Sequence, residues 1–68
     1  MPIVTIQMLE GRNRDQKREL IKTITRSVTD TLDIPSERVR VIIQEMPFDH
    51  YGISGLPVLD FRKKPNQD

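Results

Sequence analysis

Met1-Pro2-Ile3-Val4-Thr5-Ile6-Gln7-Met8-Leu9-Glu10-Gly11-Arg12 opens the chain, and the reading of this stretch decides the fold. Residues 2–9 are dominated by β-branched and apolar side chains, the composition of a strand. A strand alternates its faces, so Val4, Ile6 and Met8 lie on one side while Ile3, Thr5, Gln7 and Leu9 lie on the other. Gly11 breaks the strand. Asn13 then supplies an N-cap, and Gln16 three residues later completes a capping box, with Asp15 in the first turn. From Arg14 onward Leu20, Ile21, Ile24, Val28 and Leu32 recur at spacings of three and four, which makes one apolar stripe on a helix. Pro35 holds Ile34 out of the α region, so the helix ends near Leu32–Asp33.

Val39-Arg40-Val41-Ile42-Ile43-Gln44-Glu45-Met46 reads as a second strand. Val39, Val41 and Ile43 form its apolar face, with Arg40, Ile42, Gln44 and Met46 opposite. Strand, helix of about five turns, strand is a β-α-β unit of the α/β class, with parallel strands and a right-handed crossover. One helix covers one face of the sheet. The other face carries Ile3, Ile42 and Met46, and a parallel sheet is not normally left bare on one side, so another subunit is expected to cover it. Residues 47–57 hold two prolines, two glycines and the ring-bearing Phe48, His50 and Tyr51, an ordered loop with a short C-terminal hairpin. Val58, Leu59 and Phe61 are expected to pack onto a neighbouring subunit, and residues 62–68 to form a flexible polar tail.

Composition narrows the function. The 68 residues make one domain, 1–68, and only 35% of them are hydrophobic. So short a chain seldom stabilises itself without disulfides, metal or partners. There is no cysteine and only one histidine, so oligomerisation is the route left. The net charge of +1 gives no global drive toward nucleic acid or a membrane surface. Arg14, Arg18, Lys22 and Arg26 form a basic row, but acidic neighbours interleave it and it reads as a solvated face. No apolar run approaches a membrane span, and the absence of cysteine fits a cytoplasmic protein.

The one unusual chemical group is at Pro2. Proline in second position permits removal of the initiator methionine, and the mature chain would then begin with a secondary amine. An α-amino group titrates near pH ~8, lower when buried or close to cations, and a base poised near neutrality suits proton transfer. Pro2 could equally begin an edge strand, where its missing N–H costs nothing. His50 and Asp49 read as turn residues of the loop as readily as a base or a ligand.

Taken together, the Pro-Ile start, Leu9-Glu10-Gly11-Arg12, Asp15-Gln16-Lys17, Val39-Arg40-Val41-Ile42-Ile43, Glu45-Met46, His50-Tyr51-Gly52-Ile53 and Gly55 resemble the small-subunit 4-oxalocrotonate tautomerases of the tautomerase superfamily. The likeness runs in register from Pro2 to about Gly55. It implies protomers that pair into a four-stranded sheet backed by two helices, with three such dimers forming a homohexamer. It also implies a cofactor-free, metal-free tautomerase acting on a carboxylate-bearing enol acid such as 2-hydroxymuconate. By the same resemblance Pro2 is the general base and Arg12 holds the distal carboxylate. Arg40 engages the carboxylate and enol oxygen at the reacting end. Tyr51 stands where phenylalanine is common and keeps the amine's surroundings apolar, and Leu9 and Met46 are expected to line the substrate site. The alternatives are a hydrating dehalogenase of the same superfamily, for which the loop offers only Asp49 as the water-activating carboxylate, and a non-catalytic oligomeric interaction module.

Overall fold

The computed structural model describes residues 1–63. Strand β1 (Ile3–Leu9), helix α1 (Arg14–Leu32) and strand β2 (Arg40–Met46) form the expected β-α-β unit. The strands run parallel in the register Ile3↔Arg40 through Leu9↔Met46. The Arg40 N–H donates to the Pro2 carbonyl and the Glu10 N–H to the Met46 carbonyl, each at 3.0 Å, extending the ladder beyond both ends of β1. A two-residue antiparallel hairpin, β3 (Gly52–Ile53) and β4 (Leu56–Pro57), follows, and the short helix α2 (Val58–Arg62) ends the described chain.

Local chemistry sets these boundaries. The Asn13 side chain accepts from the Gln16 N–H at 2.7 Å while the Gln16 side chain accepts from the Asn13 N–H at 3.1 Å, so the capping box closes in both directions. Asp33 ends α1 in the left-handed region at φ 55°, where its N–H donates to the Thr29 carbonyl. Gly11, at φ 124°, makes the turn out of β1 in a conformation that L side chains rarely adopt. Ser54 and Gly55 both have positive φ, the signature of a tight two-residue hairpin turn. Strand β2 starts one residue later than its composition predicts. The Val39 N–H is spent on the Ser36 carbonyl of a short 3-10 turn, Ser36–Arg38, and so never enters the ladder.

Helix α1 covers the sheet face of Val4, Ile6, Met8, Val41 and Ile43, which are half-buried. A salt bridge of 3.0 Å from Lys17 to Glu45 fastens the helix to β2. Among the described residues only Val39 and Val58 are buried. The opposite sheet face stays open, with Ile3 61% and Ile42 45% exposed and a hydrogen bond from Gln7 to Gln44 across its middle. A protomer with two buried side chains has almost no core of its own.

The C-terminal segment departs from expectation. Val58 is 1% exposed within its own protomer, so it does not wait for a neighbouring subunit, whereas Leu59 remains exposed. The Val58 N–H donates to the Tyr51 carbonyl at 2.7 Å, which docks α2 onto the hairpin segment. The tail expected from residue 62 is helical at Arg62, and residues 64–68 lie outside the described residues. No helix of the described residues is long and apolar enough to cross a membrane.

Candidate active site

The parallel sheet has two ends, and the residues singled out by sequence divide between them. Pro2 and Arg40 meet at the end where the strands begin, joined by the Arg40 N–H to Pro2 carbonyl bond. The Arg40 side chain projects from the face not covered by α1. One of its guanidinium nitrogens donates to the Glu37 carbonyl at 2.6 Å, with the Val39 carbonyl at 3.4 Å. These contacts steady the arm through one nitrogen and leave most of the five guanidinium N–H donors available.

Leu9, Arg12, Tyr51 and Met46 gather at the other end, where the strands finish. A groove of about 430 Å³ is lined there by Met8, Leu9, Glu10, Gly11, Arg12, Phe48, Tyr51 and Arg62. Its apolar floor of methionine, leucine and phenylalanine, with charged groups at the rim, is the usual composition of a small-molecule site. Gly11 places Arg12 beside this groove, because the turn at φ 124° redirects the chain from the strand to the helix start. Tyr51 is held by its backbone, its N–H donating to the Phe48 carbonyl and its carbonyl accepting from Val58. Its ring also borders a second depression, lined by Gln7, Met8, Met46, His50 and Gly52. Met46 therefore lies next to the Arg12 groove, not in it.

A seven-residue strand separates the two clusters, a span of roughly 20 Å. One protomer therefore does not bring Pro2 and Arg40 to Arg12 and Tyr51. Asp49 is exposed on the 3-10 turn Phe48–His50 and lines neither depression of the single protomer. Sequence reasoning missed Phe48 and Arg62 as groove residues. Arg62 was assigned to a polar tail, and only the docking of α2 through Val58 puts it at the groove.

Comparison with known proteins agrees with the fold. The family model described as tautomerase enzyme matches residues 2–60. A 2-hydroxymuconate tautomerase of Pseudomonas putida is 51% identical over 57 residues, covering 84% of this chain and 90% of that protein. A probable tautomerase of Halalkalibacterium halodurans is 43% identical over 60 residues, covering 88% of this chain and 98% of that one. Among solved structures, a heterohexamer 4-oxalocrotonate tautomerase from Chloroflexus aurantiacus superposes with a TM-score of 0.83 at 37% identity, covering 91% of this chain and all of that one. The fold and these likenesses define an isomerase-type enzyme. The chain belongs to the tautomerase family, in its 4-oxalocrotonate tautomerase branch.

Proposed function

We propose that the protein converts an enol acid such as 2-hydroxymuconate to its 2-oxo form, with the Pro2 amine as general base once Met1 is removed. The observation that carries this reading is the apolar groove with Arg12 at its rim in a chain of the tautomerase family. Similarity to 2-hydroxymuconate tautomerases supports the substrate class. Ketonisation needs one group that takes the enol hydroxyl proton and returns it to carbon, and one cation that stabilises the charge developing on oxygen. The amine of Pro2 does the first and the Arg40 guanidinium the second. Arg12 holds the far carboxylate, for which a planar, permanently charged fork is well matched.

Because the two clusters lie a strand's length apart, the working site is composite. A second copy laid antiparallel to the first brings its Pro2 end against the first copy's Arg12 groove. The bare face carrying Ile3 and Ile42 supports the same conclusion, since covering what is still exposed of each isoleucine stabilises by about 1 kcal/mol. We take the assembly to be a homo-oligomer, a hexamer built as a trimer of dimers. The test is ketonisation of 2-hydroxymuconate, followed by ultraviolet absorbance, on protein whose intact mass confirms loss of Met1. Rapid turnover is expected. Absence of turnover from processed, oligomeric protein would overturn the reading.

A further inference from the structure

We infer that Gln7 and Gln44 determine the specificity of self-association: their side chains form the polar centre of the sheet face that a second copy covers, and they admit the register in which the middles of the two faces meet. The inference rests on the homo-oligomer of the proposed function and goes beyond it in naming what sets the register. The open face carries Ile3, Thr5, Gln7 and Leu9 from β1 and Arg40, Ile42, Gln44 and Met46 from β2. Arg40 is the one charged residue among them, and it stands at one end. In a chain of which 31% is charged, so uncharged a face suits contact with protein better than contact with water. At its middle the Gln7 amide donates to the Gln44 side-chain oxygen at 3.3 Å, between residues paired directly across the parallel ladder.

That one bond leaves the pair unfinished. The Gln7 oxygen and both N–H groups of Gln44 have no partner among the described residues. Water serves them while the face is open. Once the face is covered, each needs a protein partner or bears the cost of a buried, unsatisfied amide. A wholly apolar cover supplies none. A second copy does, because an amide both donates and accepts, and the copy presents the same pair. An antiparallel copy lays the middle of one face over the middle of the other, so the polar band of Thr5, Gln7 and Gln44 meets its counterpart. Sliding the copy toward either end carries the amides onto Ile3 or onto Leu9 and Met46, whose side chains offer no matching hydrogen bond. The placement that satisfies the amides also sets the Pro2 end of one copy against the Arg12 end of the other.

The test begins with the wild-type assembly and needs no variant to fold. Hydrogen exchange of the Gln7 and Gln44 side-chain N–H groups is followed by NMR against that of Gln16, an exposed glutamine at the start of α1. Covered amides are expected to exchange at least about tenfold more slowly than Gln16. Exchange as fast as that of Gln16 would overturn the inference. Assembly is then measured by native mass spectrometry and sedimentation over a dilution series. Gln7→Leu and Gln44→Leu each strip the opposing amides of a partner, and the concentration of half-dissociation is expected to rise about tenfold. Gln7→Leu/Gln44→Leu removes both amides, so it should assemble at least as tightly as wild type yet populate more than one oligomer. A pair that merely braces β1 against β2 would leave one oligomer. A double variant that forms the wild-type oligomer alone would therefore overturn the inference, as would single variants that dissociate like wild type. A monomeric wild type would overturn the assembly itself, whereas an assembled wild type with fast-exchanging glutamines overturns this inference alone.

Discussion

At Pro2 the proposed chemistry turns on a single proton. Pro2→Ala keeps an amine at the chain start but replaces the secondary amine with a primary one in a less constrained residue. We expect kcat to fall by about 10²-fold or more, the low end of what a positioned base contributes, with the oligomer intact by size-exclusion chromatography. Equal rates for the two proteins would remove Pro2 as the base. Under the roles proposed for them, the two strand-end arginines should separate kinetically. Arg40→Ala removes a charge that matters most as negative charge grows on oxygen, so it should lower kcat. Arg12→Ala removes ground-state binding, so it should chiefly raise KM for dicarboxylates and spare monocarboxylates. Steady-state kinetics on both substrate types distinguishes these outcomes.

At the scale of elements, the capping box is the local signal with the clearest cost. Asn13→Ala leaves the first-turn N–H of Gln16 without its acceptor and should destabilise the fold by about 1 kcal/mol, read from denaturant unfolding. The two long strands and α1 were legible because each carries its own period: alternation in Ile3–Leu9, a three- and four-residue stripe in α1, and alternation again in Val41–Met46. The hairpin was legible from the prolines and glycines of residues 47–57, and the structure puts its turn at Ser54 and Gly55, both with positive φ. Helix α2 was not. Its five residues span barely more than one turn, too short for periodicity to declare a face. It forms where Val58 finds a pocket against the hairpin, a tertiary contact that no local pattern encodes. Arg12 could be named in advance through the family resemblance, which runs from Pro2 to about Gly55, while Arg62 lies beyond that stretch.

For the whole molecule, the open sheet face is what single residues cannot explain. Ile42→Lys puts a charge in the middle of the face that a second copy is proposed to cover, and an unpaired buried charge is costly. We expect analytical ultracentrifugation to report dissociation, with activity lost even though Pro2, Arg12 and Arg40 are untouched. Retained assembly and activity would mean that this face is not the interface. Sequence alternation was enough to show a bare apolar face, and reading residues 2–9 as one strand already sets Pro2 and Arg12 a strand's length apart within one protomer. The parallel register adds Arg40 to the Pro2 end, and under the proposed function the separation makes assembly part of the chemistry.

The measurement that tests this claim most directly is rescue by mixing. Pro2→Ala and Arg12→Ala proteins are dissociated together and reassembled, subunit exchange is confirmed by native mass spectrometry, and ketonisation is assayed at low substrate concentration. If the site draws Pro2 from one copy and Arg12 from another, some mixed sites carry both native residues, and activity will rise well above the sum of the two variants. Activity that stays at that sum after confirmed exchange would contradict the composite site and place the whole reaction within a single protomer.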